Sequence, residues 1–216
     1  MKETLQFRPF EKTDLADFEN TLEKVWSYKE YSDNETIRKA FVKTDVYMSL
    51  YESDYKEAVY VNGAFAGIAL GRISLIKAAL KNMPYYFKFM KYGLKLKFHS
   101  KESRKLLKNF KKMYKEYKKL LKQKKKHLKS ELILFLVDPT YHRRGLGKAL
   151  IERFEATLIK KKKAHYYLFT DTTCVYRFYD ANGFQKENET SMIEPLKNGE
   201  RTLTIMLYSK RLKEVV

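Results

Sequence analysis

One stretch, Glu131–Lys148 (ELILFLVDPTYHRRGLGK), constrains the fold of this chain more than any other. Leu132 to Val137 is an apolar run of strand length, Asp138-Pro139 opens a turn, and His142 to Gly147 leads into a helix expected near Leu146. A strand that ends in a loop feeding a helix aims several unpaired backbone N–H groups at one point. The aligned peptide dipoles add positive partial charge there, which suits a phosphate or pyrophosphate. Gly145 and Gly147 let backbone approach an anion with no Cβ in the way. Such a glycine pattern also occurs in plain strand-to-helix turns.

The six positions His142, Arg143, Arg144, Gly145, Leu146 and Gly147 resemble the Gln/Arg-x-x-Gly-x-Gly/Ala loop of the GNAT superfamily of N-acetyltransferases, with His142 standing where Gln or Arg is usual. Downstream, the strand expected over His165 to Thr170 is followed by TDTTCVYRFYDANGF. Its Phe178-Tyr179-x-x-x-Gly183-Phe184 is similar to the family's second element. The resemblance implies acetyl-coenzyme A as co-substrate and direct transfer of its acetyl group to a primary amine. It also implies roles for particular residues. Arg143, Arg144, Gly145, Leu146, Gly147 and Lys148 would hold the pyrophosphate. Backbone groups of Leu136 and Val137 would pair with the pantetheine amides as a missing strand would, one of them also serving as oxyanion donor. Tyr179 would protonate the departing thiolate, with Tyr176 lining the same pocket. Thr172 replaces the family's usual Asn, and its hydroxyl can reach the pantetheine chain or cap the helix.

Amine acetylation needs a base to strip the ammonium, a donor for the oxyanion and an acid for the leaving group. Glu131, eleven residues before His142, stands where the histone-acetyltransferase branch carries its glutamate, and is the candidate base. Its plain alternative is a solvated carboxylate at a strand end, and for Tyr179 it is a core tyrosine. Cys174 invites an acetyl-enzyme hypothesis but has no assignable basic partner, so a structural thiol is the reading. The four histidines show no metal-ligand spacing, and no metal is expected.

Composition sets the outer limits. A chain of 216 residues with 44% hydrophobic side chains is expected to form a single domain over 1–216. A single cysteine excludes an internal disulfide framework. No apolar run approaches a membrane span, and no signal peptide opens the chain, so a cytoplasmic protein is expected. Net charge is +19, of which residues 77–130 carry +18: nineteen lysines and Arg104 against Glu102 and Glu116.

In order, the chain reads as a strand at Leu5–Pro9, a helix capped at Thr13-Asp14, and a second helix from about Asn34. A hairpin follows across Asn62-Gly63, with Gly67 and Gly71 marking a bulge or a close neighbour. After the central strand come the Leu146 helix, the His165 strand, and two strands over Phe184–Glu189 and Arg201–Tyr208 separated by a loop containing Pro195. Strands interleaved with helices argue for a mixed α/β sheet. The resemblance makes it a GNAT-type, mostly antiparallel sheet flanked by helices, with residues 75–130 as an inserted basic α-helical hairpin. Within that segment Ile76, Leu80, Met83, Phe87, Met90 and Leu94, then Leu106, Phe110, Met113, Tyr117 and Leu120, fall at helical spacing. Two amphipathic helices joined near His99-Ser100 are expected, with Pro84 kinking or delaying the first. Their seams either pack on each other, leaving the lysines solvated, or the pair acts as a lid over the acceptor or as a homodimer interface. Contact with an acidic partner, anionic lipid or RNA at 77–130 is a further reading. The alternative function is a coenzyme-binding or polyanion-binding module with little catalysis. The acceptor itself stays open.

Overall fold

A computed structural model describes residues 3–74, 78, 80–122 and 128–212. Ile76, Lys77, Lys124, Lys125, Lys126 and His127 lie outside the described residues. Seven strands form one sheet: β1 (Leu5–Pro9), β2 (Tyr55–Val61), β3 (Ala64–Arg72), β4 (Ser130–Val137), β5 (His165–Asp171), β6 (Gln185–Leu196) and β7 (Gly199–Arg211). Their order is β1-β2-β3-β4-β5-β7-β6, and every neighbouring pair is antiparallel except β4–β5. The expected mixed, mostly antiparallel sheet flanked by helices is the observed one.

Helices α1 (Leu15–Val25) and α2 (Glu35–Glu52) follow β1. The Asp14 carboxylate accepts from the Glu11 N–H at 2.7 Å, and Asn34 caps α2 by accepting from the Ile37 N–H at 3.2 Å. Between β3 and β4 lie α3 (Met83–His99) and α4 (Lys101–Lys122). Pro84 sits in the first turn of α3, where its missing N–H costs nothing, so it delays the helix and does not kink it. Helices α5 (Leu146–Lys160) and α6 (Arg177–Ala181) flank β5.

Three hydrophobic clusters pack against the sheet. One joins α1 and α2 to Ile68, Leu70, Leu134 and Leu136; a second joins α5 to Val59, Ala69, Leu132 and Tyr166; a third joins Leu120 of α4 to Tyr167, Met192, Leu203 and Leu207. The side-chain alternation along β4 slips at Ile133, because Gly71 faces Leu132 while Leu70 faces Leu134. That extra residue turns Leu132 toward α5 and Leu134 toward α2.

Two expectations need correction. The helices α3 and α4 do not pack seam against seam as a self-contained antiparallel pair. Instead α3 lies mainly on α2, where Tyr47 stacks with Tyr92 at 5.7 Å between ring centres and Leu96 is fully buried. The apolar face of α4 turns onto the sheet side: Phe110 meets Phe41 edge-on at 5.6 Å, and Tyr117 stacks flat on Phe169 at 4.4 Å. The last hairpin is also longer than expected, with Pro195 inside β6 opposite Glu200. Because β6 is an edge strand, proline is tolerated there without a lost ladder bond.

Both strand glycines of β3 answer to close neighbours. A Cβ on Gly67 would lie 2.7 Å from the Leu136 carbonyl oxygen, and one on Gly71 would lie 2.3 Å from the Phe154 ring. Phe154 is fully buried between Tyr55 and Tyr166 and has nowhere to retreat. Gly71→Ala should therefore lower the unfolding free energy by about 1–3 kcal/mol. Urea denaturation would measure it, with Gly63→Ala, at an open turn position, reporting only the backbone cost of its φ of +80°.

Candidate functional site

The parallel pair β4–β5 keeps register at only two positions, Ser130 opposite Tyr166 and Glu131 opposite Tyr167. Beyond them the strands part, although β4 continues for six more residues and β5 for four. On its other side β4 stays paired with β3 as far as Val137 opposite Gly67. A splayed parallel pair presents main-chain groups with no strand partner in the gap, and buried groups of that kind need a ligand or solvent. Leu136 and Val137 lie on this stretch. The Val137 carbonyl is already engaged: the His142 ring nitrogen Nε2 lies 3.0 Å from it. The residue that departs from the family pattern thus holds the end of the strand against the loop.

That loop is built as expected. Asp138 caps a short turn by accepting from the Thr140 N–H at 2.9 Å. Arg143 and Gly145 both have positive φ, +61° and +76°, and Gly145 is the N-cap of α5. The first turn of α5 carries no acidic side chain, so its N–H groups and dipole stand uncompensated. Arg143, Arg144 and Lys148 are exposed around them; Arg144 is paired with Glu3 and Lys148 lies 3.8 Å from Glu152. Leu146 is buried and anchors the turn. Gly147 is needed for packing: a Cβ there would sit 3.1 Å from the Phe135 ring and 3.6 Å from that of Phe178. Phe135 and Phe178 stack at 5.6 Å, so β4, α5 and α6 converge, and with them the two sequence motifs.

Tyr179 lies among Phe178, Phe184 and Tyr208 on α6. Burial pushes its phenol well up, with Cys174 and Asp171 adding to the effect, so it is a protonated donor. Among the described residues no hydrogen bond engages that hydroxyl. Tyr176 is the N-cap residue of α6 and is half-buried. Thr172 is exposed; its hydroxyl accepts from the Thr204 N–H at 3.3 Å, extending the β5–β7 ladder and not capping α6. Cys174 is pushed up to about 11 by burial and then by Asp171, so it stays a thiol at neutral pH. Among the described residues no group of three His, Cys, Asp or Glu side chains is placed to hold a metal ion.

Where β4 and β5 part, a cavity of about 1130 Å³ opens between the sheet, α2 and α4. Glu131 and Tyr167 line it at one end, and Asp171 and Cys174, the two groups that act on Tyr179, line it as well. Glu131 is buried; its carboxylate is paired with Arg72 and accepts from the Tyr167 hydroxyl at 2.9 Å. Burial raises its pKa against the pull of Arg72, and Glu52, 3.5 Å from the same guanidinium, raises it further. The plain alternative of a solvated strand-end carboxylate is thereby excluded.

Sequence reasoning missed the remaining polar residues of this cavity. Asp45 on α2 is buried and accepts from the buried Tyr28 hydroxyl; burial pushes it up to about 7, and it has no cationic partner among the described residues. A signal existed, since Asp45 continues the Ile37, Phe41 spacing that defines the buried face of α2. Glu194 by contrast is neutralised by Arg201 at 2.7 Å and Tyr31 at 2.9 Å. Aromatic rings from α4 (Phe110, Tyr114, Tyr117) form one wall, and Lys118 and Lys122 of the same helix border it. No described helix is long and apolar enough to cross a membrane.

Comparison with known proteins agrees with this geometry. The model of the acetyltransferase (GNAT) domain matches residues 104–186, from α4 through the loop to the start of β6. A histone acetyltransferase of Glycine max, TAP1, is 44% identical over 54 residues, which is 25% of this chain and 23% of that protein. The chain therefore matches less than a quarter of the length of that curated relative. Solved structures share the fold over nearly the whole chain. Arylalkylamine N-acetyltransferase 2 from Aedes aegypti superimposes with a TM-score of 0.59 at 19% identity, covering 97% of this chain and 100% of that one. The ribosomal-protein-S18-alanine N-acetyltransferase from Escherichia coli gives 0.52 at 16%, covering 99% of each chain. The PaiA N-acetyltransferase from Thermoplasma acidophilum, solved in complex with coenzyme A, gives 0.52 at 13%, covering 97% of this chain and 99% of that one. Residues 104–186 thus match the GNAT acetyltransferase domain, and the fold over nearly the whole chain is similar to that of these N-acetyltransferases.

Proposed function

We propose that the protein is an acetyl-coenzyme A-dependent N-acetyltransferase that acetylates a primary amine carried on an apolar or aromatic body, by direct transfer in a ternary complex. The reading treats residues 1–216 as one catalytic domain in which the 75–130 segment, through α4, walls the acceptor site. It carries a cytoplasmic location, consistent with the lone thiol. What supports it most is the divergence of β4 from β5, with buried Glu131 and Asp45 lining the cavity there and a positive-φ loop at the α5 N-terminus following β4. Acetyl-coenzyme A supplies an activated thioester; its pyrophosphate suits the positive-φ loop at the α5 N-terminus, and its pantetheine amides suit the open edge of β4.

The acceptor enters with a positive charge. Asp45, Glu52 and Glu131 line the cavity; Arg72 is paired with the last two and Lys118 also acts on Glu52, whereas Asp45 has no cationic partner among the described residues, so an ammonium would be drawn to Asp45. Glu131 takes the proton, its raised pKa bringing it nearer to neutrality than a solvated carboxylate. Tyr167 and Arg72 position it. Tyr179, held protonated, donates to the departing sulfur. The aromatic wall from α4 excludes water and selects an apolar body. The polyanion-binding alternative is favoured by one observation, the many exposed lysines of α4, and co-purification with nucleic acid that is lost at high salt would support it.

Calorimetric titration with acetyl-coenzyme A should show binding that Gly145→Glu weakens by at least about tenfold, since that variant combines a strained φ with a charge against the phosphates. No binding by the native chain at low salt would end the enzyme reading.

In an amine screen, phenethylamine and hexylamine should outperform glutamate as acceptors. Glu131→Gln should lower kcat by about 10²–10⁴-fold and Tyr179→Phe by about 10²-fold, with coenzyme binding retained. Because the base must be ionised, kcat/KM should rise as pH rises through the elevated Glu131 pKa, and Glu131→Gln should lose that limb.

Asp45→Asn should raise KM for the amine. Its stability effect has a definite sign: the folded pKa of about 7 lies above the unfolded carboxylate value, so the native state binds the extra proton between pH 4 and 7. Native stability therefore falls as pH rises through that window. Asp45→Asn should gain thermal stability at pH 8 relative to the native chain and gain little at pH 4.

A further inference from the structure

The apolar residues that sequence spacing assigned to a helix–helix seam do not face a helix. Met83, Phe87, Met90, Leu94 and Phe98 recur along α3 at steps of four and three and are all exposed, Phe87 by 65% and Phe98 by 73%. The opposite face of the same helix, Tyr85, Phe89, Tyr92 and Leu96, is packed into the core beside α2. Helix α3 is therefore apolar on two sides, and one side has no partner within the described chain. Lysines occupy the ground between: Lys88, Lys91 and Lys95 lie along one flank of the exposed stripe and Lys97 along the other. From residue 80 to residue 101 there is no aspartate or glutamate.

We infer that the exposed face of α3 binds an anionic lipid surface, lying in the plane of the headgroups with Phe87 and Phe98 inserted. An apolar stripe rimmed by lysines, on a helix of 17 residues too short to span, has the composition of an interfacial helix. The long lysine side chains can lay their methylenes along the stripe while their ammonium groups reach phosphate oxygens. Charge complementarity separates this occupant from the others. Two copies meeting face to face would bring lysine against lysine with no carboxylate between them. A nucleic acid would pair with the lysines and leave five large apolar side chains in water. An anionic bilayer satisfies both. Docking there would leave the cavity wall free, because that wall is built from α4 and not from α3.

Sedimentation of the full chain with phosphatidylcholine vesicles, with and without phosphatidylserine, tests the inference. The native protein should partition onto the phosphatidylserine-containing vesicles at low salt, at least about tenfold more strongly than onto phosphatidylcholine alone. Phe87→Ser/Phe98→Ser should lower that partition by about tenfold or more with an unchanged melting temperature, since both side chains are exposed. Lys91→Glu/Lys95→Glu should abolish the preference for phosphatidylserine. Failure of the native chain to bind would overturn the inference. So would binding that survives the phenylalanine variant but is lost in Lys108→Glu/Lys111→Glu, which would locate the contact on α4. Light scattering that shows a dimer dissociated by Phe87→Ser/Phe98→Ser would assign the stripe to a second copy instead. Acetyl transfer by the phenylalanine variant in free solution is a separate readout and should be unaffected.

Discussion

The point at which β4 and β5 stop pairing governs the rest of the molecule. Glu131 and Tyr167 are the last residues in register, and there the Glu131 carboxylate is held by the Arg72 guanidinium and the Tyr167 hydroxyl. A carboxylate so deeply buried would be costly unless paired, and removing either partner would leave a charge or a donor unsatisfied. The cluster thus pins three adjacent strands, β3, β4 and β5, at the apex of the opening. Beyond the apex the strands diverge, and β4 remains paired only with β3.

Glu131, Tyr167, Asp171 and Cys174 line the cavity at that gap, while Tyr179 packs with the cluster around α5. The bulge at Ile133 re-aims the side chains of β4, so Phe135 turns toward α5 and α6 and meets Gly147 and Phe178. This contact fixes the start of α5 against β4 and α6. In the cavity α2 contributes Asp45, and α4 supplies an aromatic wall. Of the buried carboxylates in the cavity, Glu131 is paired with Arg72 and Glu194 with Arg201, and Asp45 has no cationic partner among the described residues.

The basic segment divides its labour between two helices that sequence treats alike. Helix α4 spends its apolar face on α2 and the sheet, through Phe110 on Phe41 and Tyr117 on Phe169, and turns lysines outward. Helix α3 has apolar residues to spare after packing on α2. Exposed lysines run along both helices, but only on α3 do they border surplus apolar surface, and that pairing is what favours a lipid surface over a purely electrostatic partner.

Sequence by itself determined the strand–loop–helix motif, the order of elements along the chain, and the glycine-containing loop between Arg143 and Lys148 that opens α5. These are local or pattern-level properties: a glycine that must adopt positive φ, an apolar run of strand length, a motif at a set distance. Tertiary structure alone decided what each apolar face touches. Periodicity shows that Met83, Phe87, Met90 and Leu94 share a face of a helix but says nothing of the surface opposite, and the face proved to be open. Asp45 was likewise legible as a carboxylate at a core position, yet its partner Tyr28, its want of a cation among the described residues and its place in the cavity that Glu131 and Arg72 also line depend on contacts between segments far apart in the chain. Burial and charge compensation are properties of the assembled interior, and no local spacing encodes them.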